Sequence, residues 1–490
     1  MIAQAEASFP SFLQSSKLFQ GSVALHDVLH RALVQTWQSS LLGRFCINAF
    51  ARHVQAGEAS SWALGILPSL MSLALLIGCT FLDTSVLGAG ILGIGAWILL
   101  ASLLTGKNAW VKSPQLLDVL VLVFFMTYLI SACFSSVQPE ALMGLAKQSL
   151  FLVAFWGLRS TWCHAPQWMQ GGFALLLILG VIQSVLGWMQ VHGYAGELAG
   201  WTDANTPNEL KLNRVYGSLK PYNPNLLAAF LVASSGAGLW CLLQLACQPF
   251  RFIFPWLGLA GALLAVVSYG IVMTGCRGAY LGLFAEVVSL FILLYPLLLS
   301  DAVLKTKPRL QAVWWGLSIL GVLGVVGGIF SNEKILHRVQ SIFAFRSDSS
   351  ISYRFNVYKS SWLMFLDNWL VGIGPSNTVF KKIYGFYMTP GFNALGTYSV
   401  PLEIMVEQGV LGLTSFLSVV GTVWHQLIGG VFDEMRPLAQ KLGILTLFVS
   451  LLGFMTHGFF DTILYRPPIM IPFLFILSGF ITFTSIRGTK

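Results

Sequence analysis

Two arginines at the edges of apolar segments are the residues of this sequence best suited to bind an anion. Arg277 lies in the run Met273–Ala279 between two segments long enough to span a membrane, and Arg354 lies in a long polar stretch. An arginine at membrane depth is costly unless it is paired or lines an aqueous cavity. Guanidinium groups bind diphosphate, phosphate, carboxylate and carbonate bidentately. We therefore predict that Arg277 and Arg354 form one anion-binding site, although either alone also fits an interfacial anchor.

Two pairs of titratable residues follow in the chain, each with a spacing of four. Glu403 and Glu407 fall on one face of a predicted helix, where they either perform acid–base chemistry, balance the arginines or cap the helix. His457 and Asp461 lie at the end of a predicted span. Their spacing fits a carboxylate that orients an imidazole base, and it fits a structural helix-end pair equally.

Turn-forming residues flank these candidates. Asn223 and Asn225 alternate with prolines and predict a non-helical entry into the following span. Gly372 and Gly374 lie in a segment that is too short for a phosphate-binding loop and lacks its Lys-Ser/Thr continuation, so we interpret it as a turn. All four are expected to support the site.

Three further charged residues, Asp118, Lys147 and Glu286, lie within or near apolar runs. Such residues could form an ion relay across the membrane. Asp118 and Lys147 are close enough to the predicted span ends to reach water, which favours a structural role.

Composition sets the class of protein. The chain of 490 residues is 56% hydrophobic and only 10% charged, with a mean hydropathy of +0.74, values that exclude a soluble globular protein. The net charge of +9 resides in the connections, so nucleic acid is not a predicted partner, whereas membrane lipid is. The seven cysteines form no CxxC pair, and we predict no disulfide, no metal site and no cofactor.

Repeated apolar runs predict an all-α polytopic membrane protein with about 12 transmembrane helices, within a range of 10 to 12. Residues 62–490 form the transmembrane domain. Residues 1–61 carry no cleavable signal and predict a basic interfacial helix on the cytoplasmic surface, or alternatively a loosely ordered tail. The predicted spans are 63–82, 86–104, 116–134, 141–158, 172–191, 224–247, 253–273, 279–299, 312–330, 400–424, 442–460 and 469–486.

The distribution of basic residues predicts the orientation. With the amino terminus inside, the short inside connections hold nine Lys and Arg residues and the short outside ones hold two. The protein is therefore expected in the inner membrane, with both termini on the cytoplasmic side. Two long loops, 192–223 and 331–408, are expected on the outer face, where the larger one caps the anion site.

Four motifs follow one another in this chain: Gly217–Ala228, Thr274–Ala279, Arg354 with Trp362 and Gly372–Gly374, and Leu402–Gly409. Over about residues 205–425 this order resembles the O-antigen ligase and polymerase superfamily. Three further motifs are Arg346–Ser350, Tyr398–Glu403 and His457–Thr462. With them, nearly the whole chain is similar to the cyanobacterial family named for inorganic-carbon (bicarbonate) transport.

The superfamily resemblance implies metal-independent transfer of a glycan from undecaprenyl diphosphate, with Arg277 and Arg354 at the diphosphate-binding positions. It also implies an acceptor-activating histidine in a His–Asn pair, but here that pair is Tyr398–Ser399. A tyrosine with an ordinary pKa near 10 is a poor base at neutral pH. Glu403, His457 or Tyr398 would then have to act as the base.

Three hypotheses follow from the sequence. The first is a lipid-linked glycan transferase or polymerase. The second is an inorganic-carbon protein in which the same two arginines bind bicarbonate, and the third is a non-catalytic membrane partner of another complex.

Overall fold

The computed structural model describes residues 62–105, 114–196, 213–248, 253–300, 333–341 and 349–486, with isolated positions at 198 and between 312 and 330. The predicted amino-terminal interfacial helix, most of the predicted span 312–330 and residues 199–212 of the first long loop lie outside the described residues.

The described part of the chain folds into fourteen α-helices, preceded by a π-helical turn at Trp62–Ile66. In order they are α1 (Leu67–Phe81), α2 (Thr84–Thr105), α3 (Leu116–Phe134), α4 (Gln138–His164), α5 (Trp168–Val191), α6 (Pro224–Ala246), α7 (Ile253–Met273), α8 (Arg277–Ser300), α9 (Glu333–Gln340), α10 (Ser349–Asp367), α11 (Asn377–Tyr384), α12 (Val400–Val431), α13 (Leu438–Gly458) and α14 (Pro467–Ser485).

All of these helices except α9, α10 and α11 are long and apolar enough to cross a membrane, which gives 11 candidate spans among the described residues. They correspond one for one to eleven of the twelve predicted spans, the predicted span 312–330 being the one left out. The predicted class, an all-α polytopic membrane protein, is confirmed.

Helix α6 forms the centre of the bundle because it is apolar and narrow. Every residue from 226 to 240 is buried, and the segment Ala228–Gly238 is rich in Ala, Ser and Gly. Small side chains allow neighbouring backbones to approach closely where lipid supplies no hydrophobic driving force. Helices α5, α7 and α13 pack directly on α6, and α8 packs on α13. This core fixes the start of α6, the start of α8 and the end of α13 beside one another.

Helix α12 is broken near its start. Gly409 adopts φ 64° and ψ −158°, a conformation that only glycine adopts readily, so residues 400–408 form a separate first segment. A side chain at Gly409 would place its Cβ 2.4 Å from the carbonyl oxygen of Leu370. The break therefore lets the α10–α11 connection lie directly against α12.

The expectation that Asp118 reaches water was wrong. Its side chain is 0% exposed and accepts a hydrogen bond of 2.9 Å from Nε of Arg159, whose side chain is 1% exposed. Arg159 directly follows the predicted span 141–158, but α4 extends to His164 and carries Arg159 into the helix bundle. The two side chains neutralise each other, which permits their joint burial.

Candidate functional site

The turn between α7 and α8 is the structural centre of the candidate site. Gly275 has φ +63°, and the backbone N–H of Cys276 donates to the Thr274 hydroxyl at 3.2 Å. These residues form a tight turn. It makes Arg277 the first residue of α8, where unpaired backbone N–H groups and the helix dipole favour an anion.

Two arginines that the sequence analysis did not identify bind this turn. One precedes the turn in the chain and the other follows it. Arg214 donates from Nε to the carbonyl oxygen of Thr274 at 2.8 Å, and Arg338 of α9 donates from Nε to that of Gly275 at 2.9 Å. Arg277 itself donates from Nη1 to the Ser341 hydroxyl at 3.0 Å. Three guanidinium groups thus gather at one four-residue turn.

Arg354 reaches the same end of the bundle from α10. It donates from Nη1 to the carbonyl oxygen of Phe460 at 2.6 Å, and its Nη2 lies 3.7 Å from Oδ2 of Asp461. Its guanidinium carbon lies 5.9 Å from the centre of the Tyr398 ring. A Cβ on Gly278, the residue after Arg277, would lie 3.3 Å from the Cβ of Phe460. Arg354 and the start of α8, which carries Arg277, therefore meet at Phe460 at the same end of the bundle.

Asp461 joins Arg354 and Arg214 in one hydrogen-bonded network. Its carboxylate, which is 11% exposed, lies 3.7 Å from Arg354. Asp461 also accepts hydrogen bonds from the Asn225 side-chain amide and the Thr462 backbone, and Asn225 in turn accepts from Arg214. The result is a hydrogen-bonded cluster that contains several guanidinium groups, and guanidinium groups are well suited to bind an anion.

No hydrogen bond or ion pair joins His457 to Asp461, contrary to both interpretations of their spacing. Nε2 of His457 contacts Sγ of Cys276 at 3.3 Å, and His457 is fully buried. Burial alone raises the pKa of the Cys276 thiol, but the charge and hydrogen bond of His457, with Arg214, outweigh it and lower this pKa to about 7. Cys276 was not a predicted site residue, because nothing in its sequence neighbourhood indicated an imidazole partner.

Tyr398 stands beside the arginines but is unsuited to accept a proton. Burial, together with Tyr353 and Asp461, raises the pKa of its phenol to about 12. Its backbone has φ 55°, and its carbonyl oxygen accepts a hydrogen bond from the Tyr358 hydroxyl at 3.1 Å. At neutral pH the phenol therefore stays protonated, and its ring serves as an apolar face for Arg354.

Glu403 and Glu407 line a different space, a cavity of about 970 Å³. Its walls are mostly apolar side chains of α2, α3, α4, α12, α13 and α14, and none of the four arginines of the cluster lines it. Its polar lining residues include Lys147, Gln148, Asn377 and Lys381. Glu407 is buried, and its Oε1 accepts from the backbone N–H of Ser376 at 3.1 Å. Glu403 is only partly buried.

Of the predicted supporting residues, the two glycines act through backbone contacts and the two asparagines through their side chains. The N–H of Gly374 donates to the carbonyl oxygen of Glu407 at 3.1 Å, and Gly372 and Gly374 have φ +74° and +106°. These contacts fasten the turn to α12, as expected for a structural turn. Asn223 caps α6 by accepting from the N–H of Asn225, which confirms the predicted non-helical entry.

The chain matches known proteins over part of its length. Residues 261–417 match the sequence model of the family described as O-Antigen ligase. This part of the chain is similar to that family. It contains Arg277, Arg338, Arg354 and both glutamates, whereas Arg214 and the segment from His457 to Asp461 lie outside it.

Two curated proteins show weaker similarity. The chain is 28% identical over 208 residues to the Teichuronic acid biosynthesis protein TuaE of Bacillus subtilis, covering 40% of this chain and 39% of that protein. It is 24% identical over 173 residues to an O-antigen ligase of Salmonella typhimurium, covering 33% of this chain and 41% of that protein. The chain thus spans about two fifths of the length of each relative.

No group of three or more His, Cys, Asp or Glu side chains in the described parts of the chain could hold a metal ion.

Proposed function

We propose that this protein is an integral inner-membrane glycan transferase or polymerase. It would use a glycan linked to a polyprenyl diphosphate, bound at the outer face, with both termini in the cytoplasm. The observation that carries the proposal is the convergence of Arg214, Arg277, Arg338 and Arg354 at the α7–α8 turn and at Asp461. A diphosphate offers the several anionic oxygens that such an array of donors requires.

The proposed role of the arginines is to stabilise the leaving group. As the bond between the anomeric carbon of the glycan and the diphosphate breaks, negative charge grows on the bridging oxygen. Fixed guanidinium groups and the amino terminus of α8 would stabilise that charge without reorganising. A cavity of about 970 Å³ with apolar walls, close to this end of the bundle, offers room for a lipid chain.

Bicarbonate uptake, the alternative hypothesis, would use the same arginines for a different anion. Bicarbonate is small, carries one charge and has no apolar part. An array of four guanidinium groups and a large apolar cavity both exceed what its recognition requires. The glycan-transfer hypothesis accounts for both features, and we therefore favour it.

The deciding experiment compares wild type, Arg277→Ala, Arg354→Ala and Lys382→Ala in cells that lack the native protein. Lys382 is a matched control, because its exposed ion pair with Glu140 lies at the same end of the molecule and outside the arginine cluster. We expect both arginine variants to lose surface polysaccharide and accumulate lipid-linked oligosaccharide, and Lys382→Ala to behave as wild type.

A second measurement follows the uptake of labelled bicarbonate into proteoliposomes that contain the purified protein. Arginine-dependent bicarbonate flux with unchanged surface polysaccharide would overturn the proposal in favour of transport. If the arginine variants lose neither surface polysaccharide nor bicarbonate uptake, this chain would belong among non-catalytic membrane proteins.

A further inference from the structure

The proposed transfer requires a group that accepts the proton of the attacking hydroxyl, and the structure separates the candidates. Tyr398 stays protonated because the pKa of its phenol is raised to about 12. His457 is fully buried against Cys276 and does not line the cavity. Glu407 lines the cavity but is buried and engaged with Ser376. Glu403 alone among them is a partly exposed carboxyl group that faces the cavity.

The surroundings of Glu403 form a small polar pocket around Gly396. A methyl group placed on Gly396 would lie 3.7 Å from Oε1 of Glu403, 3.7 Å from Oγ1 of Thr462 and 3.8 Å from Nδ2 of Asn377. A carboxylate, a hydroxyl and an amide therefore converge on one point, and the absent side chain of Gly396 keeps that point open. Asn377 and Glu403 both line the cavity, so the pocket adjoins its polar end.

The Thr462 hydroxyl belongs to the same pocket. Thr462 is 6% exposed, and its hydroxyl interacts with the carboxyl group of Glu403. The N–H of Thr462 donates to Asp461, which lies 3.7 Å from Arg354. One residue thus links the polar pocket to the arginine cluster.

We infer that Glu403 is the general base of the transfer and that Thr462 and Asn377 orient the acceptor hydroxyl, which enters from the apolar cavity. This inference rests on the proposed glycan transfer. The acceptor oxygen attacks the anomeric carbon while its proton passes to the Glu403 carboxylate. The bond from that carbon to the diphosphate breaks, and its electron pair leaves with the diphosphate. The acceptor class is accordingly a hydroxyl-bearing amphiphile, such as a glycan attached to a lipid.

The test uses full-length protein in liposomes with a polyprenyl-diphosphate oligosaccharide as donor. We expect Glu403→Gln to lower the turnover number about 10²- to 10⁴-fold, the usual contribution of general base catalysis. Donor affinity, measured with farnesyl diphosphate, should stay within about twofold, because Glu403 does not touch the arginines. Thr462→Val should raise the KM for the acceptor. Glu140→Gln, which removes a carboxyl group outside the pocket, is the matched control.

Chemical rescue separates catalysis from a structural role. Added formate should restore the turnover of Glu403→Ala at least about tenfold, since it supplies a carboxylate to the vacated space, and it should not restore Arg354→Ala. Turnover of Glu403→Gln within threefold of wild type would overturn the inference, as would a folded, donor-binding Glu403→Ala that formate does not rescue. Wild-type protein that binds donor but transfers nothing would instead overturn the proposed function, and this inference with it.

Discussion

Opposite effects of Arg354→Ala and Asp461→Asn on diphosphate affinity are the sharpest prediction for the arginine cluster. Arg354 would form a charge-assisted hydrogen bond with the ligand, worth about 1.5–3 kcal/mol, so its loss should weaken binding roughly 10- to 150-fold. Asp461 lies 3.7 Å from the same guanidinium, and a ligand oxygen on the far side would be about 7 Å from it. At an effective dielectric constant near 20, that repulsion is about 2 kcal/mol. Asp461→Asn should therefore tighten binding by up to about 30-fold.

The assay is calorimetric titration of the purified protein in detergent with farnesyl diphosphate at low and at high ionic strength. Both effects should shrink at high ionic strength, because the cluster is partly exposed to solvent. The exposed Lys382→Ala variant should change affinity less than threefold. Equal weakening by Arg354→Ala and Asp461→Asn would refute the reasoning, since it would mean that the pair acts only by holding the fold together.

Three further predictions concern the framework of the site. Asp118→Asn leaves the buried guanidinium of Arg159 without its counter-charge and should lower the free energy of unfolding by about 3–5 kcal/mol, measured in detergent; a loss under 1 kcal/mol would contradict the buried pair. Gly409→Ala forces its Cβ to 2.4 Å from the Leu370 carbonyl oxygen and should abolish a monodisperse elution profile, whereas retention of that profile would show that the break is dispensable. Cys276→Ser removes a thiol whose pKa is lowered from about 9 to about 7. The Tm of the wild type should therefore exceed that of the variant fully above pH 9, and this difference should vanish as the pH falls through 7. A Tm difference that grows on acidification would contradict this prediction.

The transmembrane architecture could be predicted from the sequence because each span can be recognised from its own residues. Runs of about twenty apolar residues have few alternatives to a membrane helix, and eleven such helices stand where they were expected. Arg277 could also be singled out, because the apolar residues on both sides make any charge at that position costly. These inferences require only the residues within one segment.

The composition of the charged cluster could not be predicted, because it depends on partners that are distant in the chain. Arg214 and Arg338 lie in polar segments, where an arginine is unremarkable, and only the fold brings both to the α7–α8 turn. Cys276 and His457 are 181 residues apart, so their contact has no signature in sequence spacing. The spacing of His457 and Asp461 pointed to a local pair, yet long-range contacts with Cys276 and Arg354 prevailed.

The two carbonyl-bound arginines at the α7–α8 turn have a consequence for tolerance to substitution. Arg214 and Arg338 each donate from Nε to a main-chain oxygen, so their terminal amino groups are oriented before any ligand arrives, and little side-chain entropy remains to be lost on binding. Lysine would keep the charge but has a single flexible ammonium group that cannot hold the carbonyl and face the ligand in the same way. Chains with lysine at both positions should therefore encounter the anion at a similar rate but release it faster.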